Sequence, residues 1–188
     1  MVATVQKFSS PRERRLWVWT LAVVVAIYST LGLARTLAVE LRHRGLIDAA
    51  FFWAFVLILV AIAALGLKVR PRGHEIGVAA GILAVYALVF IRMALPEERT
   101  HVVEYGVVAI LIHEALTERA SQHRRAPRPA LTAVGVTILV GTVDEFIQLF
   151  VPSRVFDPAD IFVNSVSALL AVVAKLALGL ASRHRSLH

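Results

Sequence analysis

The sequence contains no cysteine, which excludes disulfides, thiolate nucleophiles and cysteine-ligated metals but leaves the redox compartment open. It has no internal repeat, no low-complexity stretch and no polar segment long enough for a second, soluble domain. No serine or cysteine nucleophile signature supports covalent catalysis. Charge is scarce as well: Asp, Glu, Lys and Arg make up 18% of the 188 residues against 58% apolar residues, and mean hydropathy is +0.73. The charges that exist fall in the gaps between long apolar runs, so the net charge of +7 points to membrane orientation rather than to nucleic acid.

A helix needs roughly 20 mostly apolar residues to cross the ~30 Å hydrocarbon core of a bilayer. Leu16–Ala34 and Ala49–Leu67 meet this without a charge, and Ile76–Leu95 meets it with one, Arg92. Ala130–Val151 and Asp160–Leu180 are equally long, with polar residues toward one end. His101–Leu116 is short and polar for a span and reads as a helix held inside the bundle. The sequence therefore predicts an all-α, polytopic membrane helix bundle of about six transmembrane helices. Residues 1–95 carry the first three and residues 96–188 the last three.

Lys7, Arg12, Arg14 and Arg15 ahead of the first run also fit a signal sequence, with Gly32-Leu33-Ala34 as a weak cleavage site. The run is long for that role, so an uncleaved first helix is expected. With six spans, thirteen Lys and Arg residues lie in the loops and ends on one side and five on the other. The positive-inside rule puts the thirteen, and both termini, in the cytoplasm of a multi-pass protein of a bacterial inner or plasma membrane.

Ionisable groups inside a span cost ~2.5–3.5 kcal/mol each at mid-membrane and usually face the protein interior. His101, Glu104 and Tyr105 share one helical face by their spacing, as do Asp144 or Glu145 and Gln148. Asp160 and Asn164 form a third stripe behind Asp157-Pro158. Plainer roles compete for some of these residues. Asp157 before proline is a natural N-cap, Asp160 completes something like a capping box, Asn164 fits interhelical hydrogen bonding, and Tyr105 fits an interfacial belt. The adjacent carboxylates Asp144 and Glu145 need cations or protons, for which Arg92, His101 and Arg154 are the candidates. His113-Glu114 belongs to the other end, because twelve residues of helix from His101 advance ~18 Å. Lys175 is expected to snorkel toward the cytoplasmic interface.

The ordered set His101-x-x-Glu104-Tyr105, Asp144-Glu145-x-x-Gln148, Pro152-x-Arg154, Asp157-x-x-Asp160 and Asn164 resembles the VanZ-like family over roughly Pro96 to Leu180. The family often has a glycine soon after the asparagine. Here Ser165, Ser167 and Ala168 stand in that stretch and keep it small. The resemblance implies an envelope-related role, since the name-giving members are associated with low-level resistance to teicoplanin-type glycopeptide antibiotics. It implies no particular reaction.

Three functions follow as expectations. The first is an outer-face pocket that binds a membrane lipid, a lipid-linked cell-wall precursor or an acyl-bearing antibiotic. Arg92 and Arg154 would hold phosphate or carboxylate there, and Tyr105, Gln148, Asp157, Asp160 and Asn164 would surround the head. The second is an intramembrane hydrolase or transferase on such a molecule, with His101, Glu104, Asp144 and Glu145 as acid–base groups or as ligands of a divalent cation. The third is a proton-coupled transporter. Cofactor, metal and oligomeric state are left open by the sequence.

Overall fold

Described in the computed structural model are residues 8–47, 49–50, 52–53, 56–57, 60, 73–92, 96–122, 128–151 and 156–183, apart from the side chains at 31–35, 38, 90, 92, 96–99 and 183. Five helices have defined bounds: α1 Pro11–His43, α2 Gly73–Arg92, α3 Pro96–Ser121, α4 Pro129–Gln148 and α5 Pro158–Arg183. The described residues from 47 to 60 are helical or lead into helix, and no strand occurs among the described residues. Four of the helices begin on proline, whose fixed φ suits the first helical position and whose missing N–H is an orphan there anyway. The predicted second span, Ala49–Leu67, falls largely outside the described residues.

Among the described residues two helices are long and apolar enough to cross a membrane: Pro129–Gln148, with mean hydropathy 1.7, and Pro158–Ser182, with 2.1. Their outward faces are apolar, with Leu131, Leu139, Phe162, Leu169 and Leu180 all exposed. A helix whose outer face is that greasy is unfavourable in water and at home in lipid.

The chain divides into two compact units, Met1–Leu31 with Met93–Leu176, and Gly32–Arg92 with Ala177–His188. In the first unit α3 and α4 are the closely packed pair. Tyr105, Val108, Ala109 and Ala115 of α3 are completely buried, so the segment too polar for a simple span is the one most enclosed by protein. Ile27 of α1, Ala133 of α4 and Ala168, Ala171 and Val172 of α5 complete that core. Small residues meet where α3 faces α5: a Cβ on Gly106 would make ordinary van der Waals contact with the Ala171 Cβ, at 3.6 Å. In the second unit, the His74 Nε2–H donates to the Ala181 carbonyl at 2.8 Å.

The cytoplasmic end predicted for the first unit carries a polar network. Ser10 caps α1 by accepting the Glu13 N–H at 3.0 Å, and the Glu13 carboxylate accepts the Ser9 N–H and hydroxyl at 2.6 Å each, a variant of the capping box. Arg119 at the end of α3 donates to Glu13 at 2.8 Å. Arg12 pairs with Glu114 at 2.8 Å and with Glu118 at 3.1 Å, and Lys175 pairs with Glu114 at 2.9 Å. Lys175 thus has a specific anchor in addition to any exposure at an interface.

Candidate functional site

At the opposite end of the same unit, α3, α4 and α5 each contribute one of the polar stripes read from the sequence. The stripe of α4 faces inward along residues 137, 141, 144, 145 and 148, because three- and four-residue steps return to one side of a helix. Asp144 and Glu145 are fully buried and Gln148 is 1% exposed. The Gln148 amide donates to Glu145 Oε1 at 2.9 Å and to Asp144 Oδ2 at 3.3 Å, so one neutral side chain bridges both carboxylates. The second Glu145 oxygen accepts the Asp157 backbone N–H at 3.3 Å, fastening the end of α4 to the start of α5. Asp157 itself caps α5, accepting the Ala159 N–H at 2.8 Å.

The α3 stripe meets α5 through His101, whose Nδ1–H donates to Asn164 Oδ1 at 3.1 Å. Both side chains are buried. The His101 and Tyr105 rings stack at 5.9 Å between centroids. His101 and Asp160 both lie close enough to Glu145 to act on its charge, and Asp144 stands in the same relation to the hydroxyls of Tyr105 and Tyr28. Glu104 and Asp160 are half-buried at the margin of the cluster and Asp157 is exposed. His101, Tyr105, Asp144, Glu145, Gln148, Asp160 and Asn164 therefore belong to one neighbourhood. Arg154 lies outside the described residues, as does the side chain of Arg92. Among the described residues no three His, Asp or Glu side chains form a group able to hold a metal ion.

Two participants are absent from the sequence reading. Gly141 is one: a Cβ there would stand 3.0 Å from Asn164 Cβ, 3.1 Å from its Nδ2 and 3.3 Å from the Tyr105 ring, so only glycine lets α4 come this close. Its position three residues before Asp144, on the same stripe, is the signal that marks it. Tyr28 is the other, donating to the Val140 carbonyl of α4 at 2.8 Å. It sits in an otherwise apolar run, where a lone phenol carries little signal.

A VanZ/LLP1 family model matches residues 12–178. The chain belongs to the VanZ/LLP1 family. The match takes in α1 and the segments after it, well beyond the Pro96–Leu180 stretch that carries the motifs, and it thus includes residues that by motif alone resembled nothing specific. No curated protein and no solved structure matches the chain.

Proposed function

We propose that this VanZ/LLP1 protein is a multi-pass protein of the bacterial inner or plasma membrane whose outer-face polar cluster binds or modifies an envelope amphiphile. The candidates are a lipid, a lipid-linked cell-wall precursor or an acyl-bearing antibiotic. The observation that carries this reading is the convergence of buried polar side chains from three helices, His101 and Tyr105, Asp144, Glu145 and Gln148, and Asn164, inside a unit whose outer faces are apolar. Structural packing alone would be served at lower cost by apolar side chains of similar volume. Gln148, Asn164, Tyr105, Asp157 and Asp160 orient the polar head in this reading, and Arg154 supplies positive charge at its edge. Purified protein mixed with envelope lipid extract should retain specific lipids in native mass spectrometry. Unchanged retention in both Gln148→Ala and Arg154→Ala would remove the proposal.

One observation favours an intramembrane acid–base enzyme acting on the same molecule. The Asn164 contact fixes the His101 ring with Nδ1 protonated, leaving Nε2 as the basic nitrogen. Lipid analysis of a deletion strain decides between the two: an accumulated precursor restored by wild type but not by His101→Gln supports the enzyme, and an unaltered lipid profile supports binding alone.

A further inference from the structure

At the end of the first unit opposite the cluster, the cations fall into two groups. Arg12, Arg119 and Lys175 share three carboxylates, Glu13, Glu114 and Glu118, at 2.8 to 3.1 Å, so charge within that network is balanced. Arg14 and Arg15 are exposed and make no ion pair or side-chain hydrogen bond among the described residues. Nor do the carboxylates whose side chains lie outside the described residues stand near them. Asp48 follows the far end of α1, and Glu97 and Glu98 open α3, with Glu98 sixteen residues of helix, ~24 Å, before Glu114. Two adjacent guanidiniums are thus left without a counter-charge. Arg128, exposed just ahead of α4, adds a third unpaired cation among the described residues at this end.

The helical period fixes what lies beneath the pair. Glu13, Thr20 and Ile27 recur every seven residues on the buried side of α1, and Trp17, Val24 and Tyr28 pack against the core from the same side. Arg14 belongs to the outward side, in line with Val18, Leu21 and Val25, which are 58%, 65% and 53% exposed. Arg15 shares that side with Trp19, 63% exposed one turn further on. The Trp19 indole N–H has no acceptor among the described residues. Cations, then an indole, then an unbroken apolar stripe follow one another over three turns, the order of polarity met on passing from headgroups into acyl chains.

The charge and the stripe together select the occupant. A soluble anion would answer the arginines and leave Val18, Leu21 and Val25 uncovered. A zwitterionic lipid covers the stripe, but its own cationic group offsets the attraction of its phosphate. A lipid with net negative charge meets both demands, and guanidinium is the side chain best shaped for a phosphate. We infer that the outward face of α1 at Arg14, Arg15 and Trp19 is a docking surface for an anionic glycerophospholipid. The guanidiniums take its phosphate, the Trp19 indole donates at the level of its ester carbonyls, and the stripe from Val18 to Val25 receives an acyl chain. This surface is separate from the His101–Asn164 cluster and stands whether or not that cluster binds an amphiphile.

The test reconstitutes the full chain in nanodiscs of equal parts phosphatidylglycerol and phosphatidylcholine and counts the lipids retained on its release by native mass spectrometry. A basic residue near an anionic surface contributes roughly fivefold, so wild type should favour phosphatidylglycerol by at least about tenfold. Changing Arg14→Gln and Arg15→Gln together should reduce this to about threefold or less, the remainder coming from Arg128 and the other basic residues of this end. Arg44→Gln, which removes a guanidinium already held by Glu40 at 2.6 Å, should leave the preference intact. If the double variant does not fold, wild type decides: its thermal stabilisation by phosphatidylglycerol should shrink severalfold as salt is raised from about 50 to about 500 mM. Equal retention of the two lipids, a preference that survives the double change, or a stabilisation indifferent to salt would each overturn the inference. Displacement of phosphatidylglycerol by soluble glycerol phosphate would overturn the lipid as occupant and assign the arginines to a free anion.

Discussion

Among the described glycines, Gly141 has the closest tolerances. Its missing Cβ is what allows Asn164 to reach His101 and the Tyr105 ring to lie against α4. Gly141→Ala forces Asn164 to move by several tenths of an ångström, and overpacking of this kind costs about 1–3 kcal/mol. A helix-propensity argument alone predicts the reverse sign, because alanine is the better helix former. Thermal unfolding in detergent should show a clear loss for Gly141→Ala. In an Asn164→Gly background, where both the Cβ and the amide that the new methyl would meet are gone, the same change should cost far less, as expected for residues in contact. Additive losses would mean that the two helices do not meet as described.

The helices are held together at one end by Glu13, which lies before the apolar run of α1. Burial pushes its carboxyl up, but hydrogen bonds from the Ser9 hydroxyl and backbone, the Arg119 guanidinium and the Trp17 indole outweigh that and hold it below its ordinary 4.5. A carboxyl with a depressed value in the folded state binds fewer protons there than in the unfolded chain. Its stabilising contribution is complete above the ordinary value and fades as pH falls below it. Wild-type melting temperature should therefore decline on acidification below about pH 4.5, and Glu13→Gln should flatten that part of the profile. At neutral pH the variant should lose about 1–3 kcal/mol, because Arg119 and Ser9 would face an uncharged acceptor. Parallel acid profiles for the two proteins would remove Glu13 as the anchor between α1 and α3.

For the whole molecule the testable matter is sidedness. The Glu13–Arg119 network and the His101–Asn164 cluster occupy opposite ends of one unit, and the basic loops predict that the first faces the cytoplasm. Because the chain has no cysteine, single introduced thiols can be read without background. Ser10→Cys should react with a membrane-impermeant maleimide only after the cells are opened, whereas Asp157→Cys should react in intact spheroplasts. Labelling of both from the same side would refute the proposed topology.

Helical character, two membrane-length apolar segments and the polar stripes of α3, α4 and α5 were legible in the sequence, because each depends on neighbours a few residues apart. Apolar runs report local partitioning, and three- and four-residue spacing reports a helix face, whatever the rest of the chain does. The capping role of Asp157 was legible for the same reason. The pairing of His101 with Asn164, of Arg119 with Glu13 and of Tyr28 with Val140 joins residues 63, 106 and 112 positions apart. Which stripe faces which depends on how closely the helices pack, and that is set at residues such as Gly141, whose contribution is the space it leaves empty. The polar stripes were therefore a matter of sequence, whereas the parts of Gly141 and Tyr28 and the geometry of the cluster were a matter of packing.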